Sequence, residues 1–256
     1  MIEIKSVQEI KKMKIACKAV AEILSFLKKS TEVGMTTKEL DTLSEKLIYE
    51  KKVKPAFKGY RGFPACLCVS VNEQVVHGIP GNKKLKKGDL LSLDFGVIYE
   101  GYYGDSALSF IVGHPPTQEQ EKLLRITEES LYKGIEQAQV GNHISDISHA
   151  VQKHVEAHGF SVVREFVGHG IGRELHEDPQ IPNYGEPGEG ILLKEGMVLA
   201  IEPMVNFGKS EVRVLSDGWT VVTQDGSLSA HFEHTVSVSR KGPEILTERE
   251  NEESYE

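Results

Sequence analysis

The sequence predicts an α+β fold made of two related halves that pack as one unit. The order of elements is the first reason, because helices followed by strands occur twice along the 256 residues. Internal similarity is the second reason. The pair Val33-Gly34 recurs as Val140-Gly141, 107 residues later, and residues 86–94 resemble residues 194–202 at an offset of 108. We expect one domain over residues 1–243, with pseudo-repeats at about 5–113 and 114–240.

Capping signals place the helices of the first half. Ser6 with Glu9 forms a capping box, and apolar residues then recur at the spacing of an amphipathic helix until Val33-Gly34 ends it. Thr36 with Glu39 forms a second box and predicts a helix that runs to about residue 51.

Apolar runs and turn residues place the strands, and the helix signals then repeat. Residues 67–76 and 90–98 read as strands, and Glu100-Gly101 is suited to a two-residue hairpin turn. Thr117 with Gln120 opens a second helix pair that reaches about residue 158. The chain after residue 160 reads mostly as strands and turns.

Composition excludes several classes of protein. Thirty Lys and Arg against 38 Asp and Glu give a net charge of −8, which disfavours DNA as a partner. No apolar run approaches the roughly 20 residues that span a bilayer, so no membrane association is expected. Three cysteines are too few for a disulfide framework. We expect a cytoplasmic protein.

Charge is distributed unevenly along the chain. Residues 1–60 contain thirteen lysines and eight acidic residues, whereas residues 243–256 contain six glutamates and one arginine. We interpret residues 244–256 as an acidic C-terminal tail. The basic excess near the amino end is explained either by solvated helix faces or by a surface that meets a polyanion.

Two aspartates are predicted to share one face of a hairpin. Asp94 lies in an apolar run, where a lone buried charge would be very costly. With Glu100-Gly101 at the turn, Asp105 lies opposite Gly96, so the two aspartates are diagonal neighbours roughly 7–8 Å apart. An exposed hairpin with one stray acid is the alternative that these residues alone leave open.

Three further segments add a histidine and two glutamates. His169 is flanked by glycines, which allow close approach of backbone and ligand. Glu202 follows an apolar strand and precedes a proline, and Glu233 lies in an alternating strand. Four carboxylates and one imidazole suit two divalent ions such as Fe, Mn, Co or Zn, because four neighbouring carboxylates cannot all stay ionised without cations.

These residues, in this order, resemble the type I methionine aminopeptidases of peptidase family M24, in their short bacterial form. The resemblance covers residues 5–240 and implies the pita-bread (creatinase/aminopeptidase) fold, with two pseudo-symmetric α/β halves around a central antiparallel sheet. The matching motifs are Asn72-Glu73 with His77-Gly78-Ile79-Pro80, Asp94 with Asp105, Gly168-His169-Gly170-Ile171-Gly172, His176-Glu177-Asp178-Pro179, Ile201-Glu202-Pro203 and His231-Phe232-Glu233-His234-Thr235.

The resemblance implies a role for each matching acid and for one histidine. Asp94 would chelate one metal, Asp105 and Glu233 would bridge both, and His169 and Glu202 would complete the shell of the other. Glu202 would also move the proton of the attacking water to the leaving amine.

Two further histidines and a pocket are implied in the same way. His77 and His176 would be catalytic through hydrogen bonds to the substrate peptide and the developing oxyanion. The methionine side chain would lie in a pocket that includes Tyr60, Phe63, Cys68 and Trp219. Phe57 and Leu175 depart from the family's pattern, which leaves the shape of the pocket open but not the chemistry.

The implied activity is removal of the initiator methionine from nascent proteins when the second residue is small. Its partners would be nascent N-termini and, through the basic residues 1–60, the ribosome near the exit tunnel. A monovalent cation near Asn72, Gln74 and Ser229 and a monomeric state are also expected. The alternatives are a non-catalytic binding module, a two-metal phosphatase, and a dipeptidase of the prolidase kind.

Overall fold

The structure is a computed structural model that describes residues 2–249. Its helices are α1 (Val7–Ser30), α2 (Thr37–Glu50), α3 (Gln118–Glu136) and α4 (Ile144–Ala157), and a single 3₁₀ turn covers Tyr60–Gly62. Its strands are β1 (Lys54–Pro55), β2 (Leu67–Val71), β3 (Gln74–Val76), β4 (Leu90–Tyr99), β5 (Tyr102–Ile111), β6 (Ser161–Val162), β7 (Gly168–Gly170), β8 (Glu177–Ile181), β9 (Val198–Ile201), β10 (Met204–Asn206), β11 (Val212–Val214), β12 (Val221–Thr223), β13 (Ser229–His231), β14 (Glu233–Ser237) and β15 (Glu244–Ile245).

A nine-stranded antiparallel sheet forms the centre of the molecule. Its main path runs β1-β4-β5-β14-β9-β7-β8, with β2 paired to β4 and β15 paired to β14. The first-half and second-half strands therefore meet where β5 lies beside β14. Two three-stranded sheets, β13-β10-β6 and β11-β12-β3, complete the fold. No helix among residues 2–249 is long and apolar enough to cross a membrane.

The two halves repeat the same local contacts. A β-bridge joins Thr36 to Lys84 in the first half, and another joins His143 to Leu192 in the second. These bridges are offset by 107 residues at one end (36 to 143) and by 108 at the other (84 to 192). The repeated contacts have the same offsets as the repeated sequence segments.

The capping boxes of α1 and α2 form as expected. The Ser6 side chain accepts from the Glu9 N–H, and the Glu9 side chain accepts from the Ser6 N–H. The apolar face of α1 packs on β4 and β5. This packing is so close that a side chain at Gly104 would place its Cβ only 2.7 Å from the Cys17 backbone nitrogen. Glycine at this position lets the helix rest directly on the sheet.

The hairpin between β4 and β5 has the predicted register. Gly96 lies opposite Asp105, and Asp94 lies opposite Ala107. Glu100 and Gly101 both have positive φ, 46° and 82°, as a type I′ turn requires. The two aspartates are therefore diagonal neighbours on one face of the hairpin.

Two boundaries predicted from the sequence are wrong. Residues 67–76 form two strands rather than one, because Asn72 takes a left-handed conformation (φ 60°) and turns the chain between β2 and β3. The ordered domain also continues beyond residue 243. Residues 244–245 form β15, and Leu246, Thr247 and Arg249 are buried. The rest of the predicted acidic tail, residues 250–256, lies outside the described residues.

Candidate metal centre

Five neighbouring strands of the central sheet each contribute one candidate ligand. In sheet order, β4 carries Asp94, β5 carries Asp105, β14 begins with Glu233, β9 is followed directly by Glu202, and β7 carries His169. Residues that are up to 139 positions apart in the sequence (94 to 233) are thus brought to one region of the sheet.

The five side chains converge on one cavity of about 280 Å³. Asp105, His169 and Glu233 each offer a ligand atom, and these atoms all lie within 4.8 Å of one another. His169 Nε2 lies 3.3 Å from Glu202 Oε1. Asp94 faces the same cavity from β4, where the neighbouring strand β2 places Cys68 opposite it. The structure therefore brings all five predicted ligands together.

Three carboxylate oxygens in this cluster lack hydrogen-bond partners among the described residues. Asp94 Oδ1, Asp105 Oδ1 and Glu233 Oε1 are buried and accept no hydrogen bond. Asp105 and Glu233 are only 4% and 2% exposed. Buried carboxylates are normally paired, hydrogen-bonded or bound to metal. Oxygen and imidazole donors with orphaned oxygens fit divalent cations of the transition series.

The cluster raises the pKa values of its own acids. Burial raises the pKa of Asp94 and of Glu202 to about 7, although His231 opposes the shift in Asp94 and His169 opposes it in Glu202. Burial and the surrounding carboxylates hold the pKa values of Asp105 and Glu233 well above their usual range. A cation in the cavity would favour the ionised forms of all four acids.

The glycines beside His169 are required by close packing. Strand β7 lies between β8 and β9, and a side chain at Gly168 would collide with the Ala200 carbonyl. A side chain at Gly170 would collide with the Asp178 carbonyl. His169 Nδ1 lies 2.9 Å from the Gly170 carbonyl, to which it donates. The ring is thereby oriented with Nε2 towards the cavity, as in many metal sites.

His77 and His176 also line the cavity, beside the carboxylate cluster. The His176 ring centroid is 4.3 Å from that of His169, and its Nδ1 lies 2.7 Å from the Tyr60 hydroxyl. Desolvation, followed by the charges of neighbouring histidines, lowers the pKa of His77 to about 4 and of His176 to about 3. Both rings are therefore neutral near pH 7.

The predicted pocket residues form the apolar side of the same cavity. Tyr60, Phe63, Cys68 and Trp219 all line it. The rings of Phe63 and Trp219 meet edge to face with centroids 5.1 Å apart. The two departures from the family's pattern, Phe57 and Leu175, are buried in the same apolar cluster and line the cavity too.

Of the three residues predicted to lie near a monovalent cation, Asn72 and Ser229 are hydrogen-bonded to each other, and Gln74 bonds to a different residue. The Ser229 N–H donates to the Asn72 carbonyl at 3.0 Å, while the Gln74 side chain accepts from the Val71 N–H at 2.8 Å. The Asn72 carbonyl thus already accepts one hydrogen bond. The monovalent cation stays a prediction.

Sequence reasoning missed two buried residues beside the cluster. His231 is 1% exposed, and its Nε2 lies 3.7 Å from Glu202 Oε2. The alternating pattern that puts His231 and Glu233 on one face was the available signal. Arg249 is 7% exposed and donates to Ser106 Oγ at 2.9 Å. It was assigned to the tail because its surroundings in the sequence are acidic.

Comparison with known proteins identifies relatives over nearly the whole chain. The model of metallopeptidase family M24 matches residues 11–240. A methionine aminopeptidase from Clostridium perfringens is 56% identical over 96% of this chain and 99% of its own length. Methionine aminopeptidase 1 from Bacillus subtilis is 53% identical over the same shares of the two chains.

A solved structure confirms the fold. The crystal structure of a methionine aminopeptidase from Thermotoga maritima superposes with a TM-score of 0.95 and 51% identity. The match covers 98% of this chain and 100% of the other. The predicted pita-bread fold, with two pseudo-symmetric halves around an antiparallel sheet, is thereby confirmed. The chain belongs to metallopeptidase family M24, among the methionine aminopeptidases.

Proposed function

We propose that this chain removes the N-terminal methionine of nascent proteins when the second residue is small, with the help of two divalent ions. The proposal rests on one observation: a cluster of candidate metal ligands and an apolar pocket line the same cavity. Five side chains of ligand type, one from each of five neighbouring strands, adjoin an apolar pocket of aromatic residues and Cys68. The names of the relatives support methionine as the residue removed.

Asp94, Asp105, His169, Glu202 and Glu233 would hold the ions. When bound, such ions act as Lewis acids that make water a nucleophile near neutral pH and polarise a carbonyl. The identity of the ions is open among Fe, Mn, Co and Zn, since all of these accept carboxylate and imidazole ligands.

Glu202 is the proposed proton carrier. Its carboxylate lines the cavity, where it can take a proton from water and give it to the leaving amine. Its two oxygens have different surroundings, because Oε1 faces His169 and Oε2 faces His231. We assign the proton to Oε2, which leaves Oε1 on the side of the candidate ligand His169.

His176 and His77 are proposed to bind the substrate peptide. The Tyr60 hydroxyl can donate to His176 Nδ1, so the neutral ring carries its proton on Nε2 and can donate to the carbonyl of the bond to be cleaved. His77 presents a second neutral ring, held edge-on between Phe166 and Trp219 at centroid distances of 5.6 and 6.1 Å. Both rings can bind a peptide without adding charge.

The pocket explains a preference for methionine in physical terms. Its aromatic walls and the thiol of Cys68 suit a flexible, apolar thioether, because sulfur-aromatic contacts are favourable by roughly 0.3–1.5 kcal/mol. The limit to small second residues would follow from the closeness of His77 and His176 to the ligand cluster.

A peptide assay tests the proposal. The Mn²⁺-loaded protein should release methionine from Met-Ala-Ser and much less from Met-Leu-Ser, and the Glu202→Gln variant should release it from neither. An Ala-Pro dipeptide and a phosphomonoester should stay intact. Cleavage of either one, with Met-Ala-Ser untouched, would instead support the prolidase or phosphatase alternative.

Contact with the ribosome stays a separate proposal. Several lysines of residues 1–60 form ion pairs, namely Lys12 with Glu100, Lys14 with Glu244 and Lys58 with Glu45, which reduces the free positive charge of this face. Co-sedimentation with ribosomes at rising salt would test it, since binding through this face should fall as salt increases.

A further inference from the structure

The seam between the two halves of the central sheet runs through the candidate metal centre. Strands β5 and β14 meet there, but only two residue pairs are in register, Glu233 with Ala107 and His234 with Ser106. Glu233 belongs to this short ladder, and Asp105, from the other half, directly precedes its first β5 residue, Ser106. Something besides regular strand pairing must therefore hold these two carboxylates at a fixed separation.

Side-chain hydroxyls extend the short ladder. The Thr235 hydroxyl donates to the Asp105 carbonyl at 2.7 Å and accepts from the Asp105 N–H at 3.2 Å. The Ser106 hydroxyl donates to the Glu233 carbonyl at 2.5 Å. Each hydroxyl fixes the backbone of one candidate ligand to the opposite strand.

The C-terminal segment Glu244–Arg249 attaches to both hydroxyl links. The Leu246 N–H donates to the Thr235 carbonyl at 2.8 Å, and the Thr235 N–H donates to Thr247 Oγ1 at 3.0 Å. Arg249 donates from Nη1 to Ser106 Oγ at 2.9 Å. Since the Ser106 hydroxyl has a single proton, accepting from Arg249 commits that proton to the Glu233 carbonyl.

Among the lysines and arginines of residues 2–249, only Lys5 and Arg249 are buried. The guanidinium of Arg249 also opposes the effect of burial on Glu233. The buried guanidinium therefore joins the C-terminal segment to the strand that carries Asp105.

We propose that the segment Glu244–Arg249 is a positioning element of the metal centre, in which Arg249 acts through Ser106 to hold Glu233 at its separation from Asp105. The inference rests on the divalent metal site proposed above. Arg249 touches neither substrate nor the reacting atoms. It acts in the way that outer partners of metal ligands orient those ligands.

Metal affinity distinguishes positioning from simple electrostatics. Removing a positive charge beside a cation site should strengthen Mn²⁺ binding if charge alone matters. Removing a positioning group should weaken it, by roughly 10- to 100-fold for partners of this kind. The Arg249→Met variant keeps much of the length of the side chain but loses its charge and its hydrogen-bond donors. Weaker Mn²⁺ binding in this variant would indicate positioning, and tighter binding would indicate an effect of charge alone.

The experiment is calorimetric titration of the metal-free protein with Mn²⁺, at a temperature where circular dichroism shows each variant folded. We expect Arg249→Met to weaken binding at least about tenfold, and Arg249→Lys, which can still donate to Ser106, to recover part of the loss. The matched control is Arg240→Met, because the Arg240 side chain is 82% exposed and pairs with Glu195. This control should bind like the parent protein.

A double-mutant cycle tests the route of the effect. Ser106→Ala should weaken binding too, and adding Arg249→Met to it should cost little more, because the link is already broken. Unchanged or tighter Mn²⁺ binding in Arg249→Met would overturn the inference. If that variant does not fold, Ser106→Ala decides by the same criterion. Failure of the parent protein to bind Mn²⁺ would instead overturn the proposed function.

Discussion

Stability of the metal-free protein should fall as the pH rises above neutrality. Four acids of the candidate metal centre have raised pKa values, about 7 in Asp94 and Glu202 and well above the usual range in Asp105 and Glu233. The folded chain therefore holds protons that the unfolded chain has already lost, and a state that holds more protons loses stability as the pH rises.

The choice of pH window matters because the histidines act in the opposite direction. The pKa values of His77, His176 and His231 are lowered, so unfolding takes up protons on these groups below about pH 6.5. Stability from this source is lost as the pH falls. Between about pH 7 and pH 9 the unfolded histidines are mostly neutral, so the acids set the slope. The buried thiols of Cys17, Cys66 and Cys68, whose pKa values burial raises, add to it in the same direction towards pH 9.

The magnitude follows from the number of protons retained. Each retained proton contributes a slope of about 1.4 kcal/mol per pH unit. For each proton that the folded chain holds and the unfolded chain has lost, the free energy of unfolding should fall by roughly 3 kcal/mol between about pH 7 and pH 9. For a chain of this size that loss lowers Tm by on the order of 10 °C.

Urea unfolding in the presence of a chelator measures this slope. Asp105→Asn removes an acid whose pKa is held well above its usual range and should flatten the slope, whereas Glu186→Gln, at an exposed loop position, should not. Saturating Mn²⁺ should reverse the trend, because ligands must be deprotonated to bind. Stability of the metal-free protein that is constant or rises across this window would refute the assignment of raised pKa values to the cluster.

Three substitutions test other parts of the account. Gly96→Ala would place a methyl group 2.9 Å from Phe57 Cε1 and 3.3 Å from Asp105 Oδ1, so Mn²⁺ affinity should fall in a titration. An affinity equal to that of the parent protein would show that the candidate site does not need the space that Gly96 leaves beside Asp105. Lys5→Met leaves Glu177 buried without its cation, which should cost about 3–5 kcal/mol in urea unfolding, and a loss below about 1 kcal/mol would contradict this. His231→Asn should lower kcat on Met-Ala-Ser more than it raises KM, because His231 faces Glu202; a change in KM alone would argue against that role.

Local signals in the sequence were sufficient to predict the β4–β5 hairpin and the first helices. The Ser6 capping box and the Glu100-Gly101 turn are determined by hydrogen bonds and backbone angles within a few residues. The turn then fixes which residues face each other, so the pairing of Gly96 with Asp105 could be derived. The repeat at offsets of 107 and 108 residues indicated two similar halves.

Other features depend on contacts that the sequence does not display. Residues 67–76 are apolar enough for one long strand, yet Asn72 accepts a left-handed conformation at low cost and turns the chain. Arg249 lies among glutamates that suggest a solvated tail, yet it is buried and donates to Ser106, 143 residues earlier in the chain. The candidate metal ligands could be predicted because carboxylates in apolar strands conflict with packing.

Anomalous X-ray scattering at the manganese edge, from crystals soaked in Mn²⁺, tests the central claim most directly. We expect two peaks about 3.5–4 Å apart in the cavity, in contact with the five predicted ligands Asp94, Asp105, His169, Glu202 and Glu233. An empty cavity at saturating Mn²⁺, or peaks only at other places on the protein, would contradict it.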